Sequence, residues 1–390
     1  MKSNNTMALY ELQPIAPLGL IALPGCETMA IKINDILVDW RNSRADINFS
    51  QERNEKETYI IPSEFPRYGT GEGRCSIVGD IDNYDIYILC DIFNYNVKYQ
   101  MRGYLVPMSP DDHYANLKRA ISAIGGRAKR ITVIMPILYE GRESFEYDMQ
   151  SSGCRDMLWD LYYNLGIDSI VTFDVHNLDV KAYIPNKQFY NYQPFYQMIR
   201  ALLKSEEDIK IDKDNLIIVS PEDDVAIRGA YYSQYLDLNV GILYYIRDFD
   251  NIYNGKNPIV DIGFSGEIKP GQNVILVVDM ISDNETIVEY TTKLKEYGAG
   301  KIYVFATFGL FDETVDEFDK AYSNGLINKI FCTSLTYVNR EAEIREWYEE
   351  VQMEKPLAYM IDSLNHNCSI EKFLEPKEKI NALLKRYNKK

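Results

Sequence analysis

Four stretches of the chain combine acids, cations and hydroxyls at spacings that could hold a phosphorylated ligand. FDVH puts Asp174 and His176 two positions apart. On a continuing strand both side chains share a face, where a carboxylate and an imidazole can hold a divalent cation. A strand-end histidine capped by a carboxylate reads equally well. VVDMISDNET carries Asp279 at the end of an apolar run and then a turn with Ser282, Asp283, Asn284, Glu285 and Thr286. Backbone donors at such a turn before a helix form a general anion site. Asp283 and Glu285 oppose an anion there, since unit charges ~5 Å apart at an effective dielectric of ~20 repel by about 3 kcal/mol.

The other two stretches are MPILYEGRE and SPEDDVAIRG. In the first, Arg142 could stack on a base or pair with a phosphate, or simply pair with Glu140 or Glu143 on the surface. In the second, Glu222, Asp223 and Asp224 form an acidic turn before a helical pattern. They serve as caps and dipole partners, or they bind metal and sugar hydroxyls.

Short apolar runs alternating with helical patterns must position these residues, which is the signature of an α/β architecture. The strands expected before the four loops are Arg130–Pro136, Ser169–Phe173, Asn215–Ser220 and the run ending at Val278, and Val240–Tyr245 forms another. Helices are expected at Glu27–Trp40, Asp111–Ile124, Ser152–Leu165, Gln193–Leu203, Asp224–Leu236, Glu285–Tyr297 and Asp312–Ser323. A polar loop with Gly255, Pro258, Gly263 and Gly266 is expected between Tyr245 and Val274. The pattern implies two tandem α/β domains, 1–187 and 188–339, each a mainly parallel sheet flanked by helices, and a helical extension at 340–390. In open parallel sheets ligands bind beyond the carboxyl ends of strands, where all four loops fall.

Bulk properties narrow the function. The chain has 390 residues, is 46% hydrophobic and carries a formal charge of -16. A surface so acidic argues against nucleic acid and anionic membranes, which need positive charge. The six cysteines are scattered without metal-site spacing, and no apolar run reaches the ~20 residues that span a bilayer, so a cytoplasmic protein is expected.

In this order and spacing the loops resemble ribose-phosphate pyrophosphokinase, the family that makes phosphoribosyl pyrophosphate (PRPP). The resemblance runs from about Leu18 to Tyr337. It is most specific in DDHYANLKRAISAIGGRAKRITVIMP, SIVTFDVH, NLIIVSPEDDVAIRGAYY and NVILVVDMIS, while GKNPIV and ATFGLF look like a longer bacterial branch. The resemblance implies two phosphoribosyltransferase-type domains, ATP and ribose 5-phosphate as substrates, Mg2+ as cofactor, and assembly as a homo-oligomer or with an active paralogue. It implies ATP contacts for Arg142 and His176, and metal contacts for His176, Glu222 and Asp174. Arg247 in YYIRDF falls on the arginine of the catalytic loop. Asp279 falls on the second acid of the PRPP signature, and Ser282, Asp283, Asn284, Glu285 and Thr286 fall on the loop for the sugar phosphate.

The departures sit in the same loops. Ile246 stands where the family has a lysine, Val278 where it has the first signature acid, and Asn284 where it has the loop glycine. ESFEYD follows Arg142 where basic residues are expected. The sequence therefore implies either an enzyme whose transfer chemistry is weakened or lost, or a non-catalytic paralogue that binds and regulates an active PRPP synthetase.

Overall fold

A computed structural model describes residues 13–45, 57–141, 153–221, 226–247, 259–282, 284–311, 314–371 and 375–387. The chain forms two compact units. One comprises Met1–Gln193, Leu335–Tyr337 and Gln352–Glu375; the other comprises Pro194–Ser334, Val338–Val351 and Pro376–Lys390.

The first unit contains β1 (Leu18–Ala22), the short pair β2 (Ser63–Glu64) and β3 (Ser76–Ile77), β4 (Asp85–Leu89), the hairpin β5 (Lys98–Met101) and β6 (Tyr104–Pro107), β7 (Arg130–Ile134), β8 (Ser169–Phe173) and β9 (Gln188–Tyr192). Five of these form one sheet, ordered β1-β4-β7-β8-β9 and parallel throughout. β4 and β8 are buried along their whole length, as strands covered on both faces must be. Because β9 completes this sheet, it runs on past residue 187 to Tyr192.

Helix α1 (Glu27–Ala45) follows β1, and α2 (Pro110–Ile124) precedes β7. The start of α2 is fixed by a capping box: the Asp112 amide donates to the Ser109 hydroxyl, and the Asp112 carboxylate accepts from the Ser109 amide, each at 3.1 Å. Its end is fixed by Gly125 at φ 61°, a left-handed cap that costs glycine little. Where one helix is expected over Ser152–Leu165, α3 (Cys154–Trp159) passes into a single π-turn at Asp160–Asn164.

The second unit holds α4 (Phe195–Ser205), β10 (Leu216–Pro221), α5 (Ala226–Leu236), β11 (Asn239–Arg247), β12 (Ile259–Ser265), β13 (Asn273–Ile281), α6 (Asn284–Glu296), β14 (Ile302–Gly309), α7 (Asp316–Ser323) and β15 (Lys329–Thr333). Next in the chain come α8 (Arg340–Glu343) and β16 (Tyr348–Val351). The sheet order is β12-β11-β10-β13-β14-β15-β16, antiparallel only at β11–β12. Part of the expected polar loop is thus a strand: Ile259–Ser265, with Gly263 inside it, pairs with β11 because its apolar residues alternate onto the sheet.

Alternation splits the core of this sheet. Ile217, Val219, Val274, Leu276 and Val304 pack with Ile287, Leu294 and Phe318 on the face covered by α6 and α7. Leu216, Ile218, Ile275, Val277, Tyr303 and Phe305 face the other way, toward α4 and α5. The last stretch of chain is divided rather than a separate helical extension. β16 closes the edge of the second sheet, α9 (Glu354–Asn365) packs on α1, and α10 (Lys377–Tyr387) packs on α4.

Candidate functional site

β10 and β13 are neighbours, and the chain leaves them in opposite directions, from β10 to β11 and from β13 to β14. That reversal makes a switch point, the place where open α/β sheets bind ligands beyond the strand ends. The register Val219↔Leu276 brings the end of β10 and the turn after β13 to the same edge. Two of the loops singled out from sequence therefore converge by topology.

On β13, Val278 and Asp279 point to opposite faces. Val278 is buried in the cluster with Ile287 and Tyr290, while Asp279, 9% exposed, accepts a 2.7 Å hydrogen bond from the Met280 amide at Oδ1. An acid in place of Val278 would have to enter that apolar cluster, so the valine suits its surroundings. Ser282 and Thr286 are half-buried and Glu285 is exposed. Asn284, the first residue of α6, is 1% exposed; its Nδ2 donates to the Thr314 carbonyl, and its Oδ1 has no hydrogen-bond partner. Asp283 lies outside the described residues.

At the end of β10 the Ser220 side chain is fully buried with its hydroxyl unpartnered, and Gly229 of α5 lies against it. A Cβ at Gly229 would stand 2.4 Å from Ser220 Oγ, which is why this helix position is a glycine. Glu222, Asp223 and Asp224 lie outside the described residues. Arg247 ends β11, its backbone paired with Ile259 after a register shift. Its side chain lies outside what is described. Ile246, just before it, is 40% exposed.

In the first unit the extended backbone stops at Phe173. Asp174 takes φ 44°, a left-handed conformation that few residues other than glycine adopt, though aspartate is among those that do. The strand pleat therefore does not carry Asp174 and His176 onto one face. The geometry that sequence offered for this pair ends one residue too early. The Asp174 amide donates to the Tyr192 carbonyl at 3.0 Å, and the Val175 amide to Asn191 Oδ1 at 3.2 Å, so β9 holds the turn. Asp174 is buried and His176 half-buried.

The loop after β7 is fastened by a residue to which sequence gave no role. The Tyr139 hydroxyl donates to Asp111 Oδ1 at 2.5 Å, and its ring stacks on Tyr114 with centroids 4.6 Å apart. Burial and the Asp111 carboxylate push the Tyr139 phenol well above its usual range, so it remains a donor. The only signal in the sequence was that Asp111 and Tyr114 sit three apart, on one face of a capped helix. Arg142 lies outside the described residues. Among the described residues no group of three or more His, Cys, Asp or Glu is arranged to hold a metal ion, and all six cysteines are free thiols.

A family model described as a phosphoribosyl synthetase-associated domain matches residues 249–337. The ribose-phosphate pyrophosphokinase of Mycoplasma pneumoniae is 27% identical over 228 residues, covering 57% of this chain and 65% of that protein. Ribose-phosphate pyrophosphokinase 2 of Saccharomyces cerevisiae is 23% identical over 244 residues, covering 62% and 70%. The chain is thus similar to ribose-phosphate pyrophosphokinases, at low identity. Its fold agrees: phosphoribosylpyrophosphate synthetase from Mycobacterium smegmatis superposes with a TM-score of 0.69 at 16% identity, over 90% of this chain and 99% of that one. Among the described residues no helix is long and apolar enough to cross a membrane.

Proposed function

We propose that this chain keeps the architecture for pyrophosphoryl transfer from ATP to ribose 5-phosphate but carries it out weakly or not at all. The full reaction would have the anomeric oxygen attack the β-phosphorus, break the bond from that phosphorus to its bridging oxygen, and release AMP. Such a transfer depends on positioning and on cations placed around the phosphoryl oxygens.

The observation that carries the reading is Asn284. The backbone of an anion-binding turn has to close tightly around phosphate, which glycine permits. Here a buried amide side chain occupies the position and is tied to Thr314 instead. Asp283 and Glu285 on either side add repulsion that weakens phosphate binding by roughly two orders of magnitude. Ile246 supplies no charge where the family lysine would meet the transferring group. The loss of one such group costs about 3 kcal/mol of transition-state stabilisation, by analogy with removing an oxyanion donor.

Magnesium brought by ATP takes much of its coordination from phosphate oxygens and water. By donor chemistry Asp174 and Asp279 suit the few carboxylate contacts it needs, and His176 suits a water-mediated one; Glu222 belongs to the same proposal by resemblance. Magnesium would supply charge neutralisation of the triphosphate. Arg142 would hold ATP, and Arg247 would face the transferring group. The two sheet cores are complete while the departures gather in the ligand loops, which supports the second role: a paralogue that binds and regulates an active PRPP synthetase, alone or in a mixed oligomer in the cytoplasm.

The test is AMP release from ATP, magnesium and ribose 5-phosphate, by this chain and by the triple variant Ile246→Lys, Asp283→Ser, Asn284→Gly. Little or no AMP from the parent and a gain in the variant support the reading. Turnover by the parent at a rate typical of kinases overturns it.

A further inference from the structure

The second half of α6, with Tyr297 just past its end, is attached along one face to the β11–β12 hairpin. Tyr290, Lys293 and Tyr297 follow one another at spacings of three and four, so they line that face. The Tyr290 and Tyr245 hydroxyls are hydrogen-bonded, and the rings lie 6.0 Å apart. Lys293 Nζ donates to Asp261 Oδ1 on β12 at 3.0 Å. The Tyr297 ring packs on Phe264 at 5.2 Å, and Phe264 in turn lies over Gly241, where a Cβ would come within 2.5 Å of its ring. Tyr244 and Ile246 point to the opposite, exposed face of β11. Of the three residues before Arg247, only Tyr245 reaches α6.

These contacts join two elements with different tasks under the proposed function. Asn284 and the sugar-phosphate turn stand at the start of α6, about 9 Å of helix from Tyr290. Arg247 stands two residues beyond Tyr245, about 7 Å along the strand. Tyr290 is buried, and the hydroxyl pair lies between the helix and the strand.

We propose that Tyr245 and Tyr290 are positioning residues that make the strand ending in Arg247 and the helix beginning at Asn284 one mechanical piece, so that occupancy of the sugar-phosphate turn fixes the strand bearing the arginine. The inference rests on the proposed roles of the turn and of Arg247, but its test needs no turnover. Neither tyrosine contacts substrate in this account. Each acts through the element that it fastens.

The experiment is amide hydrogen exchange on the full chain, comparing Tyr245→Phe, Tyr290→Phe and the double variant. Each keeps its ring and loses one hydroxyl. Tyr290→Phe is expected to speed exchange at 245–247, and Tyr245→Phe at 286–288, by about fivefold each. The double variant should match the singles, because the hydroxyls act as a pair. In the unsubstituted chain, saturating ribose 5-phosphate should slow exchange at both 284–286 and 245–247. In either single variant it should slow exchange only at 284–286.

Changes confined to the substituted element, or singles whose effects multiply, overturn the coupling. So does protection at 284–286 without protection at 245–247 in the unsubstituted chain, although the turn would then still be a sugar-phosphate site. Protection at neither overturns the positioning role and leaves the lost-transfer reading intact.

Discussion

Arg130 grips Asp85 inside the first sheet with two nitrogens, Nε to Oδ1 at 2.7 Å and Nη2 to Oδ2 at 2.6 Å. The Asp85 carboxylate is fully buried. It also accepts from the Tyr87 hydroxyl at 3.0 Å and from Asn365 Nδ2 at 2.8 Å, at the end of α9. Arg130 Nη2 donates on to the Leu364 carbonyl at 2.9 Å, and Arg41 of α1 reaches Asp362 and Asn365. The network therefore ties residues near the C-terminus to the first sheet.

Breaking this pair from one side should be costly. Asp85→Asn leaves a buried guanidinium without its counter-charge, and the first unit should lose about 3–5 kcal/mol in urea unfolding. Replacing both partners with apolar residues, Asp85→Leu with Arg130→Met, should recover much of that loss. A single variant as stable as the parent would mean that the pair is screened by water.

The acid-rich turn before α6 should bind phosphate better once neutralised. Asp283→Asn with Glu285→Gln is expected to tighten ribose 5-phosphate by about 10- to 100-fold in titration calorimetry. The gain should shrink as salt rises, because the turn is partly exposed. No gain at low salt would place the obstacle in the Asn284 backbone rather than in charge.

Asp91 gives the first unit a pH dependence of known sign. Burial pushes its carboxyl up to about 6, against the pull of hydrogen bonds from the Thr336 hydroxyl and the Tyr337 amide, each at 2.8 Å. With its folded value raised, the native state holds the proton more tightly than the unfolded chain does. The contribution to stability is fully present below the ordinary carboxylate range and is lost as pH rises through about 6. Stability in urea unfolding should therefore rise as pH falls from 7 toward 5, by about 1 kcal/mol. Asp91→Asn should flatten that slope; an unchanged slope would assign it to other carboxylates.

The sequence by itself determined the α/β class, the parallel sheets and the resemblance to ribose-phosphate pyrophosphokinases. Buried strand segments such as Ile86–Leu89 and Val274–Val278 read as unbroken apolar runs, and caps such as Ser109 with Asp112 are local. Ile246, Val278 and Asn284 stood out there too, because charge and backbone freedom are properties of residue type. Only the tertiary structure decided what those residues touch. That Asn284 is tied to Thr314, thirty positions away, depends on chain folding that no local pattern encodes. The same holds for β9, Ile259–Ser265 and β16, which are strands because a neighbouring strand offers hydrogen bonds to their backbones. Asp174 shows the limit of periodicity, since its left-handed turn is imposed where β8 ends against β9. Tyr139 with Asp111 and Tyr245 with Tyr290 were likewise invisible, because a phenol gains its partner only when two distant segments pack.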